Sequence, residues 1–227
     1  PDHCLVGEPT AVERLGDAVK VGRRGSLSGE LVVTGKQGHV GYPLLAANPL
    51  PGLARAVLAL REHRLDNGNS HFEPSNLEVT SIDVGNPTEN IIPRSGAARF
   101  NVRFNTEQSF AGLKRTLADV VARALAGSGL GHALTFKPSN AEAFLTEPGP
   151  FVETLAAAIG AETGLTPALS TAGGTSDARF IKNHCPVVEF GLVNKTIHAV
   201  DERVAVADIV RLASIYRRFL DGYFAAG

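Results

Sequence analysis

The order of periodic segments predicts a mixed α/β chain in which one compact βαββαβ unit interrupts a second α/β domain. Three observations predict it. Alternating strand patterns enclose two helical stripes between residues 25 and 139, strand and helix patterns alternate again after residue 140, and the first 24 residues end a strand at Cys4-Leu5-Val6-Gly7 that lacks companion units of its own. The expected domains are therefore residues 1–24 as the end of the N-terminal half of the α/β domain, 25–139 as the inserted unit and 140–227 as the C-terminal part of the α/β domain.

Each element has a local reason. Ser26 to Thr34 alternates polar and apolar residues and ends in a glycine-bearing turn, as a half-buried strand does. Leu53, Ala56, Val57, Leu60 and Leu65 recur at helical spacing after Pro49 and Pro51, and Asp66-Asn67-Gly68-Asn69 stops the pattern. Leu77, Val79 and Ile82 mark a second strand and Ala98 to Phe104 a third. Phe110, Leu113, Leu117, Val120, Val121 and Leu125 form the second helical stripe, and His132 to Phe136 the fourth strand. This βαββαβ order is that of a ferredoxin-like split unit. Beyond it, the sequence predicts a helix over residues 150–163, a strand near Ala168, a glycine loop, a helix over 176–183, a strand over 187–190 and a helix over 204–224.

Composition excludes several functions. With 22 Lys+Arg against 23 Asp+Glu in 227 residues, the chain has no basic footprint for nucleic acid. Hydrophobic residues at 44% and charged residues at 20% are those of a folded globular protein. No apolar run approaches the roughly 20 residues that cross a bilayer, and no signal-like segment opens the chain, so no membrane partner and a cytoplasmic location are expected. Cys4 and Cys185 lack metal-ligand spacing and read as reduced thiols. There is no Met, which leads to the expectation that translation began upstream of Pro1.

Candidate chemistry lies at turns that follow short apolar strands. Glu8 in Gly7-Glu8-Pro9-Thr10 is either a projecting ligand or a capping carboxylate. His198 in Thr196-Ile197-His198-Ala199-Val200-Asp201-Glu202 is either a ligand or a solvated loop residue. Gly173-Gly174-Thr175-Ser176-Asp177 offers N–H groups and hydroxyls to an anion, though such turns also serve only as helix caps. Gly38-His39-Val40 carries another exposed imidazole. No nucleophile elbow, Walker loop, complete zinc signature or dinucleotide fingerprint is present.

In order, GEPT (7–10), GRRGS (22–26), GKQGHVGYP (35–43), NIIP (90–93), FNVRFNTE (100–107), GGTSDARF (173–180) and NKTIHAVDE (194–202) closely resemble the di-zinc peptidase and deacylase family, over essentially the whole chain. The match is nearest to its desuccinylase branch, whose members cleave N-succinyl-LL-2,6-diaminopimelate to succinate and LL-2,6-diaminopimelate; acetylornithine deacetylases and aminoacylases are the alternative relatives. The resemblance implies a zinc-peptidase-like α/β catalytic domain interrupted by an inserted ferredoxin-like dimerisation (lid) domain. It also implies a homodimer formed through that domain, a small-molecule substrate and two zinc ions per active site, with cobalt as a substitute.

By the same resemblance Glu8 and His198 are metal ligands, and His39 crosses from the partner subunit to stabilise the oxyanion. Arg24, Asn90, Arg103, Gly174, Thr175 and Ser176 hold the substrate. The family's His-x-Asp pair, bridging Asp and Glu-Glu pair are not in this sequence, which implies that the chain alone is inactive. Glu89 stands where the family commonly has a small or amide residue. A non-catalytic dimerisation or binding module is the reading from another class.

Overall fold

The computed structural model describes residues 1–174 and 176–225. Along the chain run β1 (Cys4–Val6), β2 (Ala18–Lys20), β3 (Gly22–Arg23), β4 (Gly25–Thr34), β5 (Gly38–His39), a 3-10 turn (Pro43–Leu45), α1 (Leu50–Glu62), β6 (Asn76–Asp83), β7 (Ile91–Ile92) and β8 (Ser95–Phe104). There follow α2 (Phe110–Leu125), β9 (Gly131–Phe136), β10 (Phe144–Leu145), α3 (Pro150–Thr163), β11 (Ala168–Ser170), α4 (Ala178–Ile181), β12 (Val187–Glu189) and α5 (Val206–Ala225). The chain divides into two compact units, Gly25–Ala143 and Pro1–Arg24 with Phe144–Gly227.

In the inserted unit the strands lie in the order β6-β8-β4-β9 with every neighbouring pair antiparallel, the arrangement of a βαββαβ split fold. Strict alternation along β4 sends Leu27, Leu31 and Val33 inward, where Phe100, Val102 and Phe104 of β8 meet them. The same core takes Leu53, Ala56, Val57 and Leu60 from α1, and Leu113, Leu117, Val120, Val121 and Leu125 from α2. Proline at the first turn starts α1, and the Ser109 hydroxyl accepts the Gly112 N–H at 3.1 Å to cap α2. Residues 140–143 stay with this unit because Ser26 N–H donates to Ala141 O at 2.8 Å and Ala143 packs on its core, so the boundary falls four residues beyond the sequence expectation.

The flanking unit carries a sheet of order β1-β12-β2-β11, parallel at β1/β12 and β11/β2 and antiparallel at β12/β2. Phe151, Leu155 and Ile159 of α3 and Ile215 and Phe219 of α5 close over Val188 and Phe190. No helix among the described residues is long and apolar enough to cross a membrane.

The α/β class and the insertion hold. Two expectations are corrected, and several short strands had not been expected. The helix expected over residues 176–183 is only α4, because Ser176 is drawn into a side-chain network and His184 N–H closes a tight turn onto Ile181 O at 2.8 Å ahead of Pro186. Leu65 lies beyond α1, although it still packs on the core. β2, β3, β5, β7 and β10 are too short for periodicity to reveal; pairing with distant segments defines them.

Candidate functional site

In the flanking unit Glu8 is half-buried at the end of β1. What fixes it is Thr10, fully buried, whose hydroxyl donates to Ala18 O at 3.0 Å and accepts from Gly191 N–H at 3.2 Å. A Cβ on Gly191 would lie 2.4 Å from Glu8 O, so only glycine lets the two segments close up. The chain then runs parallel to residues 191–194, with an Ala11↔Val193 bridge and Asn194 N–H on Ala11 O at 2.9 Å. That strip leads directly into the His198 loop. Thr196 clamps the loop by donating to Arg203 O at 2.8 Å and accepting from Arg203 N–H at 3.0 Å. Within it His198 and Asp201 both take φ of 60°, a left-handed backbone that is costly for residues with a Cβ. The imidazole is exposed.

A catalytic zinc is held by three protein ligands and keeps a fourth position for water. Glu8 and His198 are suitable donors, but among the described residues no group of three or more His, Cys, Asp or Glu could hold a metal ion. These residues therefore do not by themselves fit a complete metal centre.

The glycine turn is held from below. Gly173 has φ of 109°, a backbone that favours glycine, and a Cβ there would come 2.7 Å from Arg23 Nη1 and push the guanidinium aside. Arg23 Nη1 donates to Gly174 O at 2.9 Å, while the rest of its guanidinium grips Glu189. The Ser176 hydroxyl donates to the same carboxylate, so this buried side chain is already committed. Beside it Lys20, 8% exposed, donates to Ser170 Oγ at 3.0 Å; burial pushes its ammonium pKa down and the Arg23 charge adds to this, with Glu189 and Asp17 opposing. Thr175 lies outside the described residues. Arg24 is half-buried at the end of this segment.

In the inserted unit His39 and Asn90 come together. β5 pairs with β7 so that His39 opposes Ile91, and Val40 N–H donates to Asn90 O at 3.0 Å. Both side chains are exposed. His39 Nδ1 accepts the Gly41 N–H at 3.0 Å, which leaves Nε2 as the ring's donor. Arg103 stands elsewhere. The register pairs Thr34 with Ser95 at the His39 end of the sheet and Ser26 with Arg103 at the other, a span of eight residues, on the order of 25 Å. Arg103 Nη1 is buried without a hydrogen-bond partner.

Sequence reasoning missed Arg23, Glu189 and Thr10. A lone carboxylate inside Val187-Val188-Glu189-Phe190 is the signal that could have found Glu189, since an isolated charge in a buried strand requires a partner.

An inserted βαββαβ unit interrupts an α/β unit, the fold class that the sequence predicts. Residues 21–128 match the family model of the M20 peptidase dimerisation domain, and this part of the chain belongs to that family. It is 57% identical over 223 residues to a succinyl-diaminopimelate desuccinylase of Methylobacterium radiotolerans, covering 98% of this chain and 57% of that protein. It is 53% identical over 224 residues to a protein of the same name from Rhodopseudomonas palustris BisA53, covering 99% and 58%. The chain thus spans somewhat over half the length of these curated relatives. Among solved structures it is similar in fold to an aminopeptidase PepT of Bacillus cereus, with TM-score 0.80, 18% identity, and 96% and 56% of the two chains covered. An amidase of the hydantoinase/carbamoylase family from Burkholderia phymatum gives TM-score 0.73 at 15% identity, covering 99% and 55%.

Proposed function

We propose that this chain is part of a cytoplasmic, metal-dependent amide hydrolase that cleaves N-succinyl-LL-2,6-diaminopimelate to succinate and LL-2,6-diaminopimelate, in lysine and diaminopimelate biosynthesis. The observation that carries the reading is the 57% identity to succinyl-diaminopimelate desuccinylases over 98% of the chain. Glu8 and His198 contribute one ligand each to the metal centre, which further donors must complete, and zinc is the proposed ion with cobalt able to replace it. Bound metal supplies Lewis-acid polarisation and an activated water.

The chain's own residues bind, orient and stabilise. A substrate rich in carboxylates suits a fork-shaped guanidinium, and the unpartnered Nη1 of Arg103 is a buried donor that a carboxylate would satisfy. Asn90, Arg24 and the turn at Gly174, Thr175 and Ser176 supply the remaining polar contacts. His39, with its proton on Nε2, donates to the oxygen on which charge develops. The separation of His39 from Arg103 along one sheet supports a homodimer in which the two act on one substrate from different copies. The dimer forms through the inserted unit.

The test is the assay of a protein that carries this chain at the relatives' full length. Metal-dependent release of succinate is expected; cleavage of acetylornithine or a dipeptide in its place overturns the substrate assignment. The 227-residue chain by itself, with zinc in excess, is expected to leave the substrate intact.

A further inference from the structure

The flanking unit buries a carboxylate that no substrate can reach. Glu189 is 1% exposed, and its two oxygens are occupied. Arg23 Nε approaches them at 3.2 and 2.9 Å, Arg23 Nη2 pairs with the second, and the Ser176 hydroxyl donates to the first. Both partners reach on into the glycine turn. Arg23 Nη1 holds Gly174 O at 2.9 Å, and Ser176 is itself the end of the turn. The near end is tied independently, Ala172 N–H donating to Ser170 Oγ at 3.2 Å.

A buried ion pair adds little stability over apolar side chains of the same volume, because desolvation offsets most of the attraction. What it does impose is geometry, since bidentate guanidinium–carboxylate bonds tolerate small angular errors only. Here that geometry is transmitted to one place, the turn that precedes α4.

We propose that Glu189 is a positioning residue for the turn that holds Gly173, Gly174 and Ser176. By clamping Arg23 and the Ser176 hydroxyl it fixes the backbone of the turn in the shape that meets a substrate carboxylate, and it does so without touching substrate. The functional half of this statement rests on the reading of the turn as a substrate contact. The positioning half does not.

Amide hydrogen exchange on the 227-residue chain tests the positioning directly, with Glu189→Gln and Arg23→Lys compared with the original sequence. Glu189→Gln removes the charge at nearly constant volume. Arg23→Lys keeps a cation beside Glu189 but loses the reach to Gly174 O. In both, the amides of Ala172, Gly173, Gly174 and Ser176 are expected to exchange roughly tenfold faster or more, while those of β2 and β12 stay within about twofold. Uniform acceleration of turn and strands in Arg23→Lys, or no change in the turn, overturns the proposal; this variant decides the matter if Glu189→Gln fails to fold. In the full-length enzyme the same two variants are expected to raise KM for the succinylated substrate roughly tenfold with kcat little altered. A loosened turn with KM unchanged would leave the positioning intact and overturn the turn's role in holding substrate.

Discussion

At the scale of single residues, buried or half-buried charges organise both units. Asp66, which the sequence presents only as a helix-stopping turn residue, accepts N–H groups of Gly68 and Ser75 at 2.9 and 3.0 Å, Asn105 Nδ2 at 2.8 Å and Gln108 Nε2 at 3.1 Å. Burial acts to raise its pKa, but these hydrogen bonds outweigh it and hold the carboxyl at about 2, against 3.8 for an ordinary Asp. Because the folded-state pKa is depressed, the contribution to stability is complete above about pH 4 and is lost as pH falls towards 2. Urea titrations across that interval should show a slope that Asp66→Asn removes. Arg23→Ala is expected to destabilise the flanking unit by about 3–5 kcal/mol, since it leaves Glu189 buried and uncompensated; a drop below about 1 kcal/mol in urea unfolding contradicts the pairing. If His39 donates to the oxyanion as proposed, His39→Ala in the full-length protein should lower kcat by about 10²–10³ with the fold unchanged.

At the scale of elements, most of the long segments were legible because each carries its own periodicity. α2 repeats Leu113, Leu117, Val120, Val121 and Leu125 on one face and starts at a side-chain cap, so its sequence alone specifies both its span and its buried stripe. Ser109→Ala should cost about 1 kcal/mol in thermal or chemical unfolding. The short strands were not legible. β5 and β7 have two residues each and exist because Gly38 and His39 pair with Ile92 and Ile91. α4 was over-read for the opposite reason: a helical pattern existed, but the Ser176–Glu189 bond withdrew its first turn.

At the scale of the whole molecule, the register of β4 against β8 is the decisive feature for the proposed chemistry. It places His39 and Asn90 at one end of the inserted sheet and Arg103 at the other. If substrate contacts both, an active site is shared between copies. Mixing the full-length His39→Ala and Arg103→Ala proteins, each nearly inactive, should then restore about a quarter of the original activity, because half of the dimers are mixed and each holds one intact site. No recovery on mixing would mean that each copy works alone. Sedimentation at micromolar concentration should find the 227-residue chain dimeric.

The sequence by itself determined the α/β class, the insertion near residue 25 and the apolar stripes of α1 and α2, and it singled out Glu8, His39 and His198 as candidates. These depend on local pattern, and local pattern is written into neighbouring residues. Only the tertiary structure decided that Arg23 pairs with Glu189, that Thr10 and Gly191 hold Glu8 against the strip leading to His198, and that Arg103 keeps an unsatisfied donor. Arg23 and Glu189 are 166 residues apart along the chain. The cost of a buried charge obliges it to find a partner, but which one depends on the fold that brings them together.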